Sequence, residues 1–184
     1  MSSESPIIRE SIAQQSLDIL RTRAESLALA EDVETTVETM GLLLFRLGEE
    51  WYAVPIAGVR EIINDFVLTP IPRVPEFIRG VMNVRGEIVS VTDIALLMRI
   101  ASDGHRFERE LPAAIIVRTD LCVSALVVDE IGDIVEVARD AVEPPLATLD
   151  RSQVEFISGS VYLEGKLIGI VNLDRVLEPI GENS

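Results

Sequence analysis

The chain has 184 residues and carries 16 Lys and Arg against 31 Asp and Glu, for a formal net charge of −15. That balance excludes sequence-independent binding of nucleic acid and a polybasic dock on anionic lipid, since both need clustered cations. Apolar residues at 48% sustain a core, but aromatics are only 4%, so the core must be built from Val, Ile, Leu and Ala.

Residues 1–38 differ from the rest. The opening MSSESPIIRE lacks the basic and apolar regions of a secretory signal, and no apolar run approaches the roughly 18 residues needed to cross a bilayer. A cytoplasmic protein with no membrane insertion is expected. Ser5-Pro6 reads as a helix start, and Leu17, Leu20, Ala24 and Leu27 recur at helical spacing, which predicts an amphipathic helix over roughly 7–30. Glu31, Asp32, Glu34 and Glu38 follow as an acidic linker. This helix either docks back on its own domain, sits on a tether, or binds a partner or a second copy of itself.

From Gly41 the pattern changes to short β-branched runs punctuated by Gly and Pro. Leu42–Leu47 and Trp51–Pro55 form a predicted hairpin around Gly48-Glu49-Glu50, and Val59–Ile63 is a short strand or a helical turn. Pro70, Pro72 and Pro75 make 69–76 a stiff connector. Ile78–Val84 and Glu87–Thr92 flank Arg85-Gly86, a tight turn with positive φ at the Gly. Asp93 caps a predicted helix to Ile100, and a polar loop follows at Ala101–Glu110. Ala113–Arg118, Val123–Val128 and Ile131–Val137 are strand-like, Pro144-Pro145 marks a second connector, and Gly159–Val171 is a further hairpin. Many short strands with regular turn signals indicate barrels or a sandwich.

An internal repeat organises these strands. Phe77-Ile78-x-Gly80-x-x-x-Val84-x-Gly86-x-Ile88-Val89-x-Val91-x-Asp93-Ile94 is echoed 79 residues later by Phe156-Ile157-x-Gly159-x-x-x-Leu163-x-Gly165-x-Leu167-Ile168-x-Ile170-x-Asn172-Leu173. Both Gly pairs keep their spacing, the flanking residues alternate as half-buried strands do, and each hairpin leads into a short helix, Asp93–Ile100 and Asp174–Leu177. Two related β subdomains follow. A weaker echo links Trp51–Ile62 with Cys122–Ile134.

Catalytic hardware is sparse. The single Cys and single His exclude a disulfide framework and any multi-Cys or multi-His metal site. His105 lies in a polar loop, where a solvated surface His is the ordinary case, and Cys122 sits inside an apolar strand run, Leu121–Val128, where a buried inert thiol is the default. The sequence carries neither GxxxxGK[ST] nor a strand–GxGxxG–helix unit. Neither an enzyme nor a cofactor is expected. The Arg85-Gly86 hairpin and Val59-Arg60-Glu61-Ile62 instead suggest binding: a Glu61–Arg85 ion pair would orient the hairpin, although spacing alone favours two unrelated solvated charges.

The run Phe77-Ile-Arg-Gly-Val-Met-Asn-Val-Arg-Gly-Glu-Ile-Val-Ser-Val-Thr-Asp-Ile94 resembles the signature of CheW-like domains, the coupling proteins of bacterial chemotaxis. Phe45-x-Leu47 with Tyr52-Ala-Val54, Val59-x-Glu61-Ile62, Ile71-Pro72 with Pro75, and Val127-Val128-Asp129-x-Ile131 also match, so the resemblance spans about 40–180. It implies a mainly β fold of two five-stranded barrels side by side, with short capping helices. The implied division is an N-terminal extension over 1–38 and a double-barrel domain over 39–184, with barrel cores of about 50–105 and 110–170 that exchange strands. It implies a non-catalytic adaptor bridging chemoreceptor cytoplasmic tips to the regulatory domain of a CheA-type histidine kinase, recruited to membrane-associated receptor arrays. By residue transfer Val59, Glu61, Asn83 and Arg85 face the receptor, with Glu61 and Arg85 pairing, while Gly80, Val81 and Gly86 belong to the region that meets the kinase. Ser90 stands where the family usually has Pro, and Thr92 where it has an aliphatic residue. A CheW-like adaptor of a related pathway, in twitching motility or cyclic-dinucleotide signalling, and a small-ligand-binding barrel are the alternatives.

Overall fold

A computed structural model describes residues 15, 17–22, 36–100, 113–145, 147 and 149–181. The chain divides into two compact units, Met1–Val37 and Glu38–Ser184. In the first, residues 15 and 17–22 are helical; the remainder of the helix expected over 7–30 lies outside the described residues, as do His105 and its loop.

Among the described residues the second unit holds ten strands in two five-stranded sheets. They are β1 (Thr39–Leu47), β2 (Glu50–Pro55), β3 (Val59–Ile63), β4 (Ile78–Val84), β5 (Glu87–Asp93), β6 (Ala113–Arg118), β7 (Val123–Val128), β8 (Glu130–Ala138), β9 (Ile157–Leu163) and β10 (Lys166–Val171). Three α-helices intervene or follow: α1 (Ile94–Leu97), α2 (Arg151–Val154) and α3 (Leu173–Gly181). One sheet has the order β8-β1-β2-β10-β9 and the other β3-β6-β7-β5-β4. In each order one internal pair is parallel, β2 with β10 and β5 with β7, and the other pairs are antiparallel.

The two orders superimpose strand for strand if β1–β5 and β6–β10 are treated as two copies of one unit. Each copy gives its first two strands to one sheet and its last three to the other. Sheet membership therefore changes between Pro55 and Val59 and again between Val128 and Glu130. The physical reason is the crossing of β3 and β8, each of which leaves its own hairpin to pair with the opposite one, β3 on β6 and β8 on β1. This is also where the weaker echo between 51–62 and 122–134 resides.

Side-chain alternation builds three cores. Leu42 and Ala53 point into the first sheet's own core with Val137, Val161, Ile168 and Ile170. Ala114, Ile116, Ala125 and Val127 point into that of the second with Met82, Val84, Val89 and Val91. The intervening residues, Leu43, Phe45, Tyr52, Val54, Ile115, Val117, Leu126 and Val128, meet in a third core together with both terminal helices. The strands β1, β2, β6 and β7 are thus buried on both faces, which accounts for near-continuous apolar runs such as Leu42–Phe45 and Ala113–Val117. With about 1.5–3 kcal/mol for each fully buried aliphatic side chain, this shared core binds the sheets into one unit. Every strand of each sheet contributes to its own core, so the sheets are rolled; the backbone ladders are nevertheless open, because the end strands of each order do not pair. The expected barrels are in hydrogen bonding two curled sheets.

Helix α1 begins where expected. The Asp93 carboxylate accepts from the N–H groups of Ala95 and Leu96 at 3.1 and 3.2 Å. It stops short of Ile100 because Arg99 takes φ 54°, and Ile100 N–H donates to Ala95 C=O while Arg99 N–H donates to Leu96 C=O. That pattern is a Schellman end with Arg in the usual Gly place. The departures at Ser90 and Thr92 are accommodated by Ser124. Ser90 Oγ donates to Ser124 Oγ at 3.1 Å, Thr92 Oγ1 lies 2.9 Å from the same atom, and Ser124 Oγ donates to Ser90 C=O at 3.1 Å.

Candidate functional site

The hairpin β4–β5 turns through Arg85 and Gly86, at φ 52° and 88°. Sequence reading placed the left-handed conformation at Gly86 alone; the two-residue primed turn requires it at Arg85 as well. Asn83 stabilises the turn, its Oδ1 accepting from Gly86 N–H at 2.8 Å. The Asn side chain therefore shapes the tip that displays Arg85.

Glu61 reaches this tip from β3, at the other edge of the same sheet. Arg85 Nη2 lies 3.3 Å from Glu61 Oε2, so the ion pair is formed where spacing alone favoured two unrelated solvated charges. Arg85 is 80% exposed and Glu61 22% exposed. A pair this wet contributes about 0–1 kcal/mol to stability. Its geometry matters more: a guanidinium has five donors, and this one leaves most of them pointing to solvent. Beside it, Arg60 Nη1 meets Glu87 Oε2 at 2.6 Å, a contact that also raises the Arg60 pKa, chiefly through that hydrogen bond. Ile62 and Ile88 are exposed apolar neighbours in the chain, at 39% and 64%. Val59 is half-buried and packs against the core between the sheets.

The seven expected site residues fall in two places. Glu61, Asn83, Arg85 and Gly86 share the hairpin tip and its facing strand, with Val59 two residues along β3. Gly80 and Val81 sit farther up β4, roughly 15 Å from the tip at the strand rise of ~3.3 Å per residue. There the connector lies directly on the strand: Thr69 N–H donates to Val81 C=O at 2.8 Å and Val81 N–H donates to Thr69 C=O at 2.9 Å. Gly80 is buried beneath it at φ 147°, and a Cβ there would come 2.2 Å from the Thr69 carbonyl oxygen. Gly86, by contrast, has nothing within 4 Å of a built Cβ. The pairing of Arg60 with Glu87 was not expected from sequence. The register shift on β3 between Val59 and Glu61 explains why: it lets neighbouring charges serve one hairpin, where plain alternation would send them to opposite faces.

The remaining titratable features point away from chemistry. Burial pushes the Cys122 thiol up, and its Sγ lies 3.8 Å from Leu177 C=O. Tyr52 is also raised, first by burial and then by its 2.7 Å hydrogen bond to Glu50. Among the described residues no group of three or more His, Cys, Asp or Glu is placed to hold a metal, and no helix is long and apolar enough to cross a membrane.

Two rolled sheets fused through a common core, with a charged strip where the edges of one sheet approach, define a docking module. Comparison with known proteins makes the class specific. The CheW-like domain family matches residues 41–180, and the chain belongs to that family, whose members are non-catalytic scaffolding adaptors. The chain is 31% identical over 137 residues to the chemotaxis protein CheW of Rhizobium meliloti, covering 73% of this chain and 85% of that one. It is 30% identical to protein FrzA of Myxococcus xanthus, covering 73% and 82%. The crystal structure of the scaffolding protein TtCheW from Thermoanaerobacter tengcongensis aligns with a TM-score of 0.65 at 30% identity, covering 73% of this chain and 90% of that one.

Proposed function

We propose that the protein is a chemotaxis adaptor that couples the cytoplasmic tip of a chemoreceptor to the regulatory domain of a CheA-type histidine kinase. The observation that carries this reading is the match of the whole double-sheet unit to the CheW-like family, with the Glu61–Arg85 pair formed on an exposed face. In this reading the receptor tip, a bundle of helices, meets the strip around Val59, Glu61, Asn83 and Arg85. Apolar side chains give it contact area, and the free donors of Arg85 give it orientation. The kinase meets the other end of β4. Gly80 and Val81 act there through the connector: Gly80 lets Thr69 and Pro70 lie flat, and the connector then presents Ile71 and Val74, both exposed. Gly86, which the resemblance groups with them, lies at the tip beside Arg85, where its N–H bond to Asn83 holds the turn. The protein works in the cytoplasm and is recruited to membrane-associated arrays through these contacts, each modest alone and strengthened by repetition.

A second reading keeps the adaptor geometry and changes the pathway, to twitching motility or cyclic-dinucleotide signalling; relatives with names other than CheW, such as FrzA, leave room for it. Co-sedimentation with a receptor signalling fragment and a CheA-type kinase tests the proposal. The expected outcome is one pellet containing all three proteins; a protein that joins the receptor but not this kinase class points to the other pathway, and one that joins neither contradicts the adaptor role.

A further inference from the structure

In the sheet β3-β6-β7-β5-β4, strands β3 and β4 are opposite ends of the hydrogen-bonded order. The roll of the sheet brings β3 to the β4–β5 hairpin without a backbone ladder between them. Two side-chain pairs cross that gap, Arg60–Glu87 at 2.6 Å and Glu61–Arg85 at 3.3 Å. Along β3 the charges run plus then minus, and in the hairpin they run plus at 85 and minus at 87, so each pair is matched and each swapped pairing is repulsive. The β3 bulge makes this matching available, since Arg60 is the extra residue between the Val59–Val117 and Glu61–Ile116 partners. In the other sheet, Glu164 and Lys166 occupy the places of Arg85 and Glu87, with the signs reversed.

We propose that the Arg60–Glu87 pair is a latch that positions the receptor-facing strip. It clamps edge strand β3 to the hairpin, so that Glu61 stays opposite Arg85. This rests on the proposed receptor contact, and it assigns Arg60 and Glu87 a positioning role. The latch matters because β3 has five residues and is laddered on one side only, to β6. Such an edge opens locally at low cost, and its opening dismantles the strip without unfolding the sheet. Arg60 and Glu87 are also the tighter of the two pairs, which leaves Arg85, held more loosely, available to a partner.

The test compares wild type with Arg60→Gln, Glu87→Gln and the exchange Arg60→Glu with Glu87→Arg. Amide hydrogen exchange at residues 59–63 and the affinity for a soluble receptor signalling-tip fragment are both measured. Each single variant is expected to speed exchange and weaken binding by about two- to fivefold, the range of one exposed ion pair. The exchanged double variant is expected to recover most of both. Unchanged exchange at 59–63 in both single variants overturns the latch even when the fragment binds normally. Faster exchange with unaltered affinity overturns the positioning role. A wild type that binds no fragment overturns the receptor reading itself, and the exchange data then report separately on whether the clamp exists.

Discussion

The two sheets are made by one repeated chain pattern, yet they solve the same problems with different side chains. Both hairpins turn on a left-handed pair, Arg85-Gly86 and Glu164-Gly165, with φ 52° and 88° in one and 51° and 75° in the other. Both receive a connector across an edge strand, Thr69 on Val81 and Glu143 on Ser160. Both tie the hairpin's end to its start, Asp93 N–H donating to Phe77 C=O and Asn172 N–H to Phe156 C=O. The side chains then diverge. Where β5 and β7 place Ser90 against Ser124, β10 and β2 place Gly169 against Tyr52, whose ring sits 3.3 Å from a built Gly169 Cβ and stacks with Phe45. At the tips, Arg85 and Glu87 are replaced by Glu164 and Lys166, with the signs reversed. The backbone frame is therefore shared, and the two sheets differ in the side chains mounted on it.

The sharpest difference in stability should come from the glycines under the connectors. At Gly80 a Cβ would strike the Thr69 carbonyl oxygen at 2.2 Å in a φ that side chains avoid; at Gly159 it would meet Val142 Cγ1 at 2.7 Å and Glu143 O at 2.9 Å, without positive φ. Gly80→Ala should lower the unfolding free energy by about 3 kcal/mol, and Gly159→Ala by about half of that, in denaturant melts. Equal losses would mean that the two connectors are held alike. Next in size is the hydroxyl chain confined to one sheet. Ser124→Ala leaves Ser90 and Thr92 without their shared partner and should cost about 1–3 kcal/mol. Replacing all three, with Ser90→Ala and Thr92→Val added, should recover much of the loss. A triple variant no better than the single would show that the hydroxyls do more than satisfy one another.

Much of this frame was legible in the sequence. Alternating β-branched residues around Arg85-Gly86 and Glu164-Gly165 marked the hairpins, Pro70 to Pro75 marked the connector, and the 79-residue echo marked the duplication. The exchange of β3 and β8 was less legible in detail, because a strand's partner depends on which core its apolar face fills, and both cores are lined by the same aliphatic residue types. The candidate site was legible in its members more than in its geometry. Glu61 and Arg85 lie 24 residues apart, and only the roll of a sheet whose edges are β3 and β4 brings them together. The Arg60–Glu87 pair depends on a one-residue bulge, a register feature that no spacing in the chain announces. Gly80 was singled out as part of a contact region, whereas its immediate neighbour is the protein's own connector.

The central claim, that one hairpin is the receptor-facing one although both share a backbone, is tested most directly by reversing the charge at each tip. Binding of a receptor signalling fragment is measured for wild type, Arg85→Glu and Glu164→Arg, each checked for unaltered melting. The account predicts that Arg85→Glu abolishes or strongly weakens binding while Glu164→Arg binds as wild type does. Loss of binding in Glu164→Arg, with Arg85→Glu unaffected, would contradict it.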